Sequence, residues 1–475
     1  MIRKVLVVVP HPDDEINLAG GLYDIFKTKN IYTSVVFCTN GDFYPEYSIR
    51  RHKEVLNAKK ILGYDEAVFL GYGDGMMATH VYNIDGDVTI KSNAGKVETY
   101  TTGVTPEYCY QRYRIHHKYT RNNLKNDIKD VVLDKRADLI ICVDLDCHYD
   151  HRCVSLLFDE AMGEILKEHN DYRPIILKGF AYMGSWAGMD DFFSSIVKPM
   201  IPTINRTTID PSCTYPFNWK DRIRVRNSQK ATKMLLWKNS IFKALLAHRS
   251  QMRFSSVPDN AFVKFPSIAN PESCYWLRRA DNLVLQSRVH ATSGNINYLN
   301  DFKIFDTTGL HNNSLYDYEC GWIPSSYDTS KEITIDFSTK KKISYIKIFQ
   351  GYKSDISHIK LTTFEGDSYD YLFNNPGNTL NLSVNLYTSL IKIHIIESRS
   401  IELCIHEIEC YQDKDDNDWI LSPLNQYIES PLNNPIIITQ ISGFLFHLVA
   451  RLLLMINSRH GKKTPNIHTS DTEDK

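Results

Sequence analysis

Two short runs in the sequence hold metal-binding and proton-transfer side chains at spacings that hydrolytic chemistry uses. The first, PHPDDE at 10–15, crowds the imidazole of His11 and the carboxylates of Asp13 and Asp14 into four residues. Like charges this close are costly unless something positive sits among them, and a divalent cation is the natural solution. The second, CHYDHR at 147–152, sets His148 and His151 three apart with Asp150 between them. A catalytic zinc site needs three N or O ligands plus an open position for water, and the two runs together offer enough of them. Taken singly, either run reads equally as a helix cap or a surface turn. Their joint occurrence is the stronger signal.

Both runs follow β-strand patterns. Val5 to Val9, Thr33 to Thr39, Ala67 to Leu70 and Leu139 to Val143 are near-continuous apolar stretches, as expected of parallel strands buried on both faces. Between them Ile16, Ala19, Tyr23 and Phe26 recur at helical spacing, as do Val55, Ala58 and Leu62, and then Leu124, Ile128 and Val131. The alternation predicts an α/β fold, a Rossmann-like, mostly parallel sheet flanked by helices. Ligands in such sheets bind outside the carboxyl ends of the strands, where PHPDDE and CHYDHR fall. Residues 73–118 break the rhythm and read as an insertion that walls a pocket.

With strand-PHPDDE and a later HxDH in place, the chain resembles the PIG-L/LmbE-like family of zinc-dependent N-deacetylases over about residues 1–280. CTNGD at 38–42, RHKEVLNAKKILG at 51–63, FLGYGDG at 69–75 and HRSQ at 248–251 add to the resemblance. Members of that family hydrolyse the N-acetyl amide of glucosamine-containing lipids, thiol conjugates or antibiotic sugars. The resemblance implies a hydrolase that removes the acetyl group from an N-acetylglucosamine-type unit of an amino-sugar glycoconjugate. Carried over by motif position, His11, Asp14 and His151 hold Zn2+ or another divalent cation, and Asp13 is the general base. His148 is the acid or oxyanion stabiliser, oriented by Asp150, while Arg51, Asp74 and His248 are substrate-binding. Arg51 reads equally as a solvated charge on a helix, and His248 as a helix-end cap. Tyr149 stands where the family often has proline. His116 and His117 read as loop histidines, and Cys147 and Cys153 as buried thiols. The alternatives are a zinc amidase acting on a non-sugar or thiol-conjugate amide, and a catalytically silent glycan-binding protein.

From Leu283 to Gln412 the pattern turns to short period-2 segments, ITIDF, ISYIKIF, IKLTTF, LIKIHII and IELCIHEIEC, separated by turn residues. These predict an antiparallel β-sandwich at 284–412 that resembles discoidin-like and galactose-binding-like modules. Two roles stand open for it, glycan binding and bracing of the enzyme. Residues 413–435 read as a linker, 436–458 as an apolar amphipathic helix and 459–475 as a polar, disordered tail. The helix suits either a peripheral contact with a membrane interface or packing against protein.

Composition sets the outer limits. A chain of 475 residues exceeds one compact domain. Its formal net charge of −1 gives no reason to expect nucleic acid. Ten cysteines with no CxxC pair read as reduced thiols. That points to the cytoplasm, with the inner membrane face as a peripheral location.

Overall fold

The structure, a computed structural model, describes residues 2–75, 81–84, 86–146, 148–181, 223–231, 238–252, 272–310, 315–375 and 377–413. The linker from 414, the apolar helix and the tail expected from the sequence lie outside the described residues. Among those described, no helix is long and apolar enough to cross a membrane.

The first half is built on a sheet of seven strands. Five are parallel: β1 (Lys4–Val9), β2 (Tyr32–Thr39), β3 (Glu66–Tyr72), β4 (Leu139–Val143) and β5 (Ile175–Gly179). Two antiparallel strands, β6 (Ile223–Arg226) and β7 (Glu272–Arg278), extend one edge, giving the order β3-β2-β1-β4-β5-β7-β6. All five residues of β4 and the last five of β1 are buried. Helices on both faces of the sheet explain that pattern, because neither side of these strands meets water.

Seven α-helices are described: α1 (Asp14–Ala19), α2 (Tyr23–Thr28), α3 (Ser48–Leu62), α4 (Tyr108–Tyr113), α5 (Arg121–Lys135), α6 (Tyr149–Glu168) and α7 (Ser240–Ala247). The helical periodicity from Ile16 to Phe26 is realised as two short helices, α1 and α2, parted at Gly20-Gly21. Gly63 ends α3 in the left-handed region, its N–H returning to the Lys59 carbonyl.

Strand order reverses between β2 and β4 on either side of β1. This is the topological switch point, where the ends of adjacent strands diverge and leave a crevice. PHPDDE leaves β1 there and CHYDHR follows β4.

The second half is an antiparallel sheet system: β8 (Arg288–Ala291), β9 (Glu332–Gln350), β10 (Ile356–Thr363), β11 (Ser368–Leu372), β12 (Thr379–Ser398) and β13 (Ile405–Tyr411). ITIDF and ISYIKIF, read from the sequence as separate strands, are the two ends of β9. Its early half pairs with β8 and its late half with β13, while β12 follows it along both. Register shifts in β12 between Ser383 and Leu386 and between Thr388 and Leu390 accompany a change in which residues face inward. Leu380 and Leu382 are buried before the shifts, and Ile391, Ile393 and Ile395 after them. A bulge that changes parity keeps a single long strand facing the core on both sides of a bend.

The two halves interlock through residues 281–310. Val284 and Leu299 belong to the sandwich core, whereas Leu285, Phe302, Phe305 and Leu310 pack into the core of the first half. Helix α6 is consequently buried on nearly every side. Gly163 is required where the Asp301 carbonyl presses on it, since a Cβ there would lie 2.4 Å from that oxygen. A buried polar seam runs alongside. Lys303 Nζ lies 2.5 Å from Asp306 Oδ2, Tyr82 donates to Asp306 Oδ1 at 2.8 Å, and Arg152 Nη1 donates to the Leu310 carbonyl at 3.1 Å.

A chain ended at Arg279 would expose the apolar surface that Leu285, Phe302, Phe305 and Leu310 cover. It is expected to unfold at least about 5 °C below a chain ended at Asp413. Thermal unfolding followed by circular dichroism checks this, and coincident midpoints would show that the first half needs no support from beyond residue 279.

Candidate active site

The loop between β1 and α1 carries the first cluster. His11 Nδ1 lies 3.1 Å from Asp14 Oδ2, and His11 Nε2 lies 2.9 Å from Asp150 Oδ2 and 3.3 Å from Asp74 Oδ1. The Asp14 carboxylate also accepts the His11 backbone N–H at 3.0 Å, which pins the loop. Asp13 precedes the helix at φ 141°, ψ −20°. For an L-residue other than glycine this conformation costs on the order of 1–3 kcal/mol and persists only where its neighbours enforce it.

The second cluster is placed by the start of α6. His148 is its N-cap, with Nδ1 accepting the Asp150 backbone N–H at 3.2 Å. In the neutral ring that leaves the proton on Nε2. Asp146, just beyond β4, accepts the His148 N–H at 2.9 Å through Oδ1 and the His151 Nδ1 hydrogen at 2.7 Å through Oδ2. With Nδ1 so held, His151 turns Nε2 towards Asp14 Oδ2, at 3.2 Å. A carboxylate behind an imidazole is the usual way to orient a histidine ligand and raise its basicity.

The clusters meet. The three imidazole centroids lie 4.9 Å (His11–His148), 5.5 Å (His11–His151) and 4.7 Å (His148–His151) apart. Ligand atoms of His11, His148 and His151 fall within 4.8 Å of one another, as do those of His11, Asp74 and Asp150. Asp14 Oδ2 bridges His11 and His151. Arg51, from α3, is a buried fork whose Nη2 holds Asp13 Oδ1 at 2.8 Å and the Pro12 carbonyl at 2.7 Å, while Nη1 reaches Asp74 Oδ2 at 3.4 Å.

The electrostatics follow from this crowding. Burial opposes charge on His11, but Asp74, Asp14 and Asp150 outweigh it and hold its pKa well above the ordinary value. Burial likewise opposes charge on His151, yet Asp14 and Asp146 raise it to about 10. Asp74 resists its own burial through His11 and Arg51 and is pulled down to about 2. His148 goes the other way, to about 4, through burial and then the positive His151 and His11. It is therefore a neutral hydrogen-bond donor at neutral pH.

The donor set fits a divalent cation. Asp14, Asp74 and Asp150 converge on the imidazoles with Arg51 and its partner Asp13 alongside, and Asp150 Oδ1 is buried with no hydrogen-bond partner among the described residues. Imidazole nitrogens with carboxylate oxygens form the ligand chemistry of catalytic zinc.

Of the residues expected from the sequence, His11, Asp13, Asp14, Arg51, Asp74, His148, Asp150 and His151 lie together. The Asp150 carboxylate faces His11, and its backbone N–H, not its carboxylate, engages His148. His248 stands behind α1 with Nε2 at 3.2 Å from Glu15 Oε1, fully buried. Sequence reasoning passed over Asp146 and Asp42. Asp42 accepts the Asp74 N–H at 2.7 Å and the Tyr100 hydroxyl at 2.8 Å. The available signal was acids directly after strand patterns, DLD at 144–146 and NGD at 40–42.

One other grouping of metal-binding types occurs among the described residues: Cys109, His117 and Asp127. There the Asp127 carboxylate accepts from Cys109 Sγ at 3.1 Å, His117 Nδ1 at 2.8 Å and the Tyr72 hydroxyl at 2.5 Å. Three donors on one carboxylate satisfy it, so the grouping ties the insertion to the sheet. His117 thus has a structural partner that its loop position did not reveal.

Comparison with known proteins adds the following. No curated protein matches the chain in sequence. Similar solved structures include a conserved protein from Thermus thermophilus at 19% identity, covering 58% of this chain and 94% of that one with a TM-score of 0.33. An N,N'-diacetylchitobiose deacetylase from Pyrococcus horikoshii in complex with its inhibitor is 14% identical, covering 59% of this chain and 85% of that one with a TM-score of 0.33. The family 32 carbohydrate-binding module of Clostridium perfringens NanJ in complex with galactose is 14% identical, covering 26% of this chain and 92% of that one with a TM-score of 0.21. Residues 6–162 match the family described as PIG-L: GlcNAc-PI de-N-acetylase. The chain therefore carries a PIG-L family domain at residues 6–162, and both histidine-aspartate motifs lie inside it.

Proposed function

We propose that the chain is a zinc-dependent hydrolase that removes the acetyl group from an N-acetylglucosamine-type unit of a glycoconjugate. The observation that carries this reading is the meeting of two separate motifs around His11, at the switch point of the sheet and within a PIG-L family domain. His11, Asp14 and His151 would hold the ion. When bound, such an ion supplies a Lewis acid that polarises an amide carbonyl and lowers the pKa of water to about 7.

The chain's own residues do the rest. Asp13 takes the proton from the attacking water as its oxygen bonds to the carbonyl carbon, and returns that proton to the nitrogen as the C–N bond breaks. The products are acetate and the free amine. Arg51 fixes the Asp13 carboxylate and backbone together, so the base meets the water in one position. His148, neutral and protonated at Nε2, donates to the carbonyl oxygen as charge develops on it. The sandwich half braces this arrangement. Arg152, beside His151, spans from the Asp146 carbonyl at 2.6 Å to the Leu310 carbonyl.

The reading gives adjacent aspartates different tasks. Asp13→Asn should keep its zinc while acetate release from N,N'-diacetylchitobiose falls by about two to four orders of magnitude. Asp14→Asn should chiefly weaken zinc affinity, and added zinc should restore part of the rate. His148→Ala should keep zinc and lose rate. Zinc content and acetate release, measured side by side, decide it. Loss of zinc in Asp13→Asn with retention in Asp14→Asn would exchange the roles, and normal rates in all three would move the active site elsewhere.

Arg51→Met removes the guanidinium from two buried carboxylates. The expected cost is about 3–5 kcal/mol of stability. Urea unfolding measures it, and a loss below about 1 kcal/mol would show Arg51 to be an ordinary solvated charge.

A further inference from the structure

Glu15 and His248 take no part in the reaction just described, yet both are fully buried beside its base. Glu15 Oε2 accepts the backbone N–H of Asp13 at 2.9 Å, and Glu15 Oε1 lies 3.2 Å from His248 Nε2. We propose that Glu15 and His248 are positioning residues that hold the strained backbone of Asp13 and so set where its carboxylate meets the attacking water. The proposal rests on the reading of Asp13 as general base.

At φ 141° Asp13 occupies a region that an L-residue leaves unless something holds it there. Its side chain has one holder, Arg51, and its N–H another, Glu15. Relaxation to a common backbone region would swing the carboxylate off the line that Arg51 defines. A carboxylate at Glu15 is also an expensive choice, since Asp13 and Asp14 already stand next to it. An apolar residue would fill a core position at lower cost, so a buried ion pair here calls for a purpose other than stability.

The chain supplies that pair with a long-range anchor. His248 lies 233 residues from Glu15 and opens the HRSQ segment, which follows α7. Two residues on, Ser250 binds Glu54 of α3 through its N–H at 2.8 Å and its hydroxyl at 2.5 Å. Arg51 belongs to the same helix. One helix therefore anchors both grips on Asp13, the side-chain grip through Arg51 and the backbone grip through Glu54, Ser250, His248 and Glu15. A misplacement of about 1 Å in a reacting group is enough to cost about a hundredfold in rate, which is the scale on which such anchoring acts.

The test uses full-length, zinc-loaded protein and acetate release from N,N'-diacetylchitobiose, with Glu15→Ala, Glu15→Gln, His248→Ala and His248→Gln each made alone and in an Asp13→Asn background. Glu15→Ala is expected to retain zinc, lower kcat about 10- to 100-fold and leave KM within about threefold. Glu15→Gln keeps an acceptor for the Asp13 N–H and should recover to within about fivefold of the parent. Added to Asp13→Asn, Glu15→Ala should cost less than about twofold further, because it acts through a carboxylate already removed. Three results would overturn the proposal: equal fold-losses in both backgrounds, glutamine no better than alanine, or loss of zinc from Glu15→Ala. Should Glu15→Ala fail to fold, the His248→Ala and His248→Gln pair carries the same comparison. If Asp13→Asn alone retains the parent kcat, the base assignment fails, and that result is separate from any behaviour of Glu15.

Discussion

Carboxylates gathered in a buried space repel one another, and this structure gathers four of them around His11 at the carboxyl ends of β1 and β4. Asp14 and Asp150 touch the His11 ring from opposite nitrogens, Asp74 approaches one of them, and Asp13 stands on Arg51 alongside. In the absence of compensation such a group would protonate or spread apart. His11 and His151, both held towards the protonated form by these acids, and the Arg51 guanidinium supply part of the compensation. In the proposed reading a divalent ion would supply the remainder where the nitrogen and oxygen donors converge, and would add the Lewis acidity that amide hydrolysis uses.

Much of the surrounding architecture serves to keep that crowded group in place. The reversal of strand order around β1 opens the crevice, and the buried, β-branched strands make its floor rigid. Helix α6 presents His148, Asp150 and His151 from its first turn, and it is clamped between the sheet and residues 299–310. Arg152 connects that clamp to Asp146, which orients His151. The second half of the chain is thus coupled to the site through packing as well as through sequence.

The sequence made the local parts of this arrangement legible and hid the long-range ones. PHPDDE and CHYDHR are readable because each packs its chemistry into a few adjacent residues, and the apolar runs before them mark the strands without ambiguity. The pairing of Glu15 with His248 and the engagement of Asp42 with Asp74 leave no periodic trace, because they depend on where distant strands and helices come to rest. The split of α1 from α2 was visible only as Gly20-Gly21, against an apolar spacing that continues through it. The polar stretch in the middle of β9 resembles a turn in sequence, and residues 337–340 do drop out of register with β12, yet the strand resumes its pairing from Lys341 onward. The boundary near residue 280 was drawn from a change of pattern, whereas Leu285, Phe302, Phe305 and Leu310 belong to the first core because α6 needs a cover.

The most direct test of the account is anomalous diffraction at the zinc edge from crystals of the full chain grown with zinc. The account predicts one strong peak bonded by His11, Asp14 and His151 at about 2.0–2.2 Å. A peak lodged instead among Cys109, His117 and Asp127, or none within reach of His11, would contradict it.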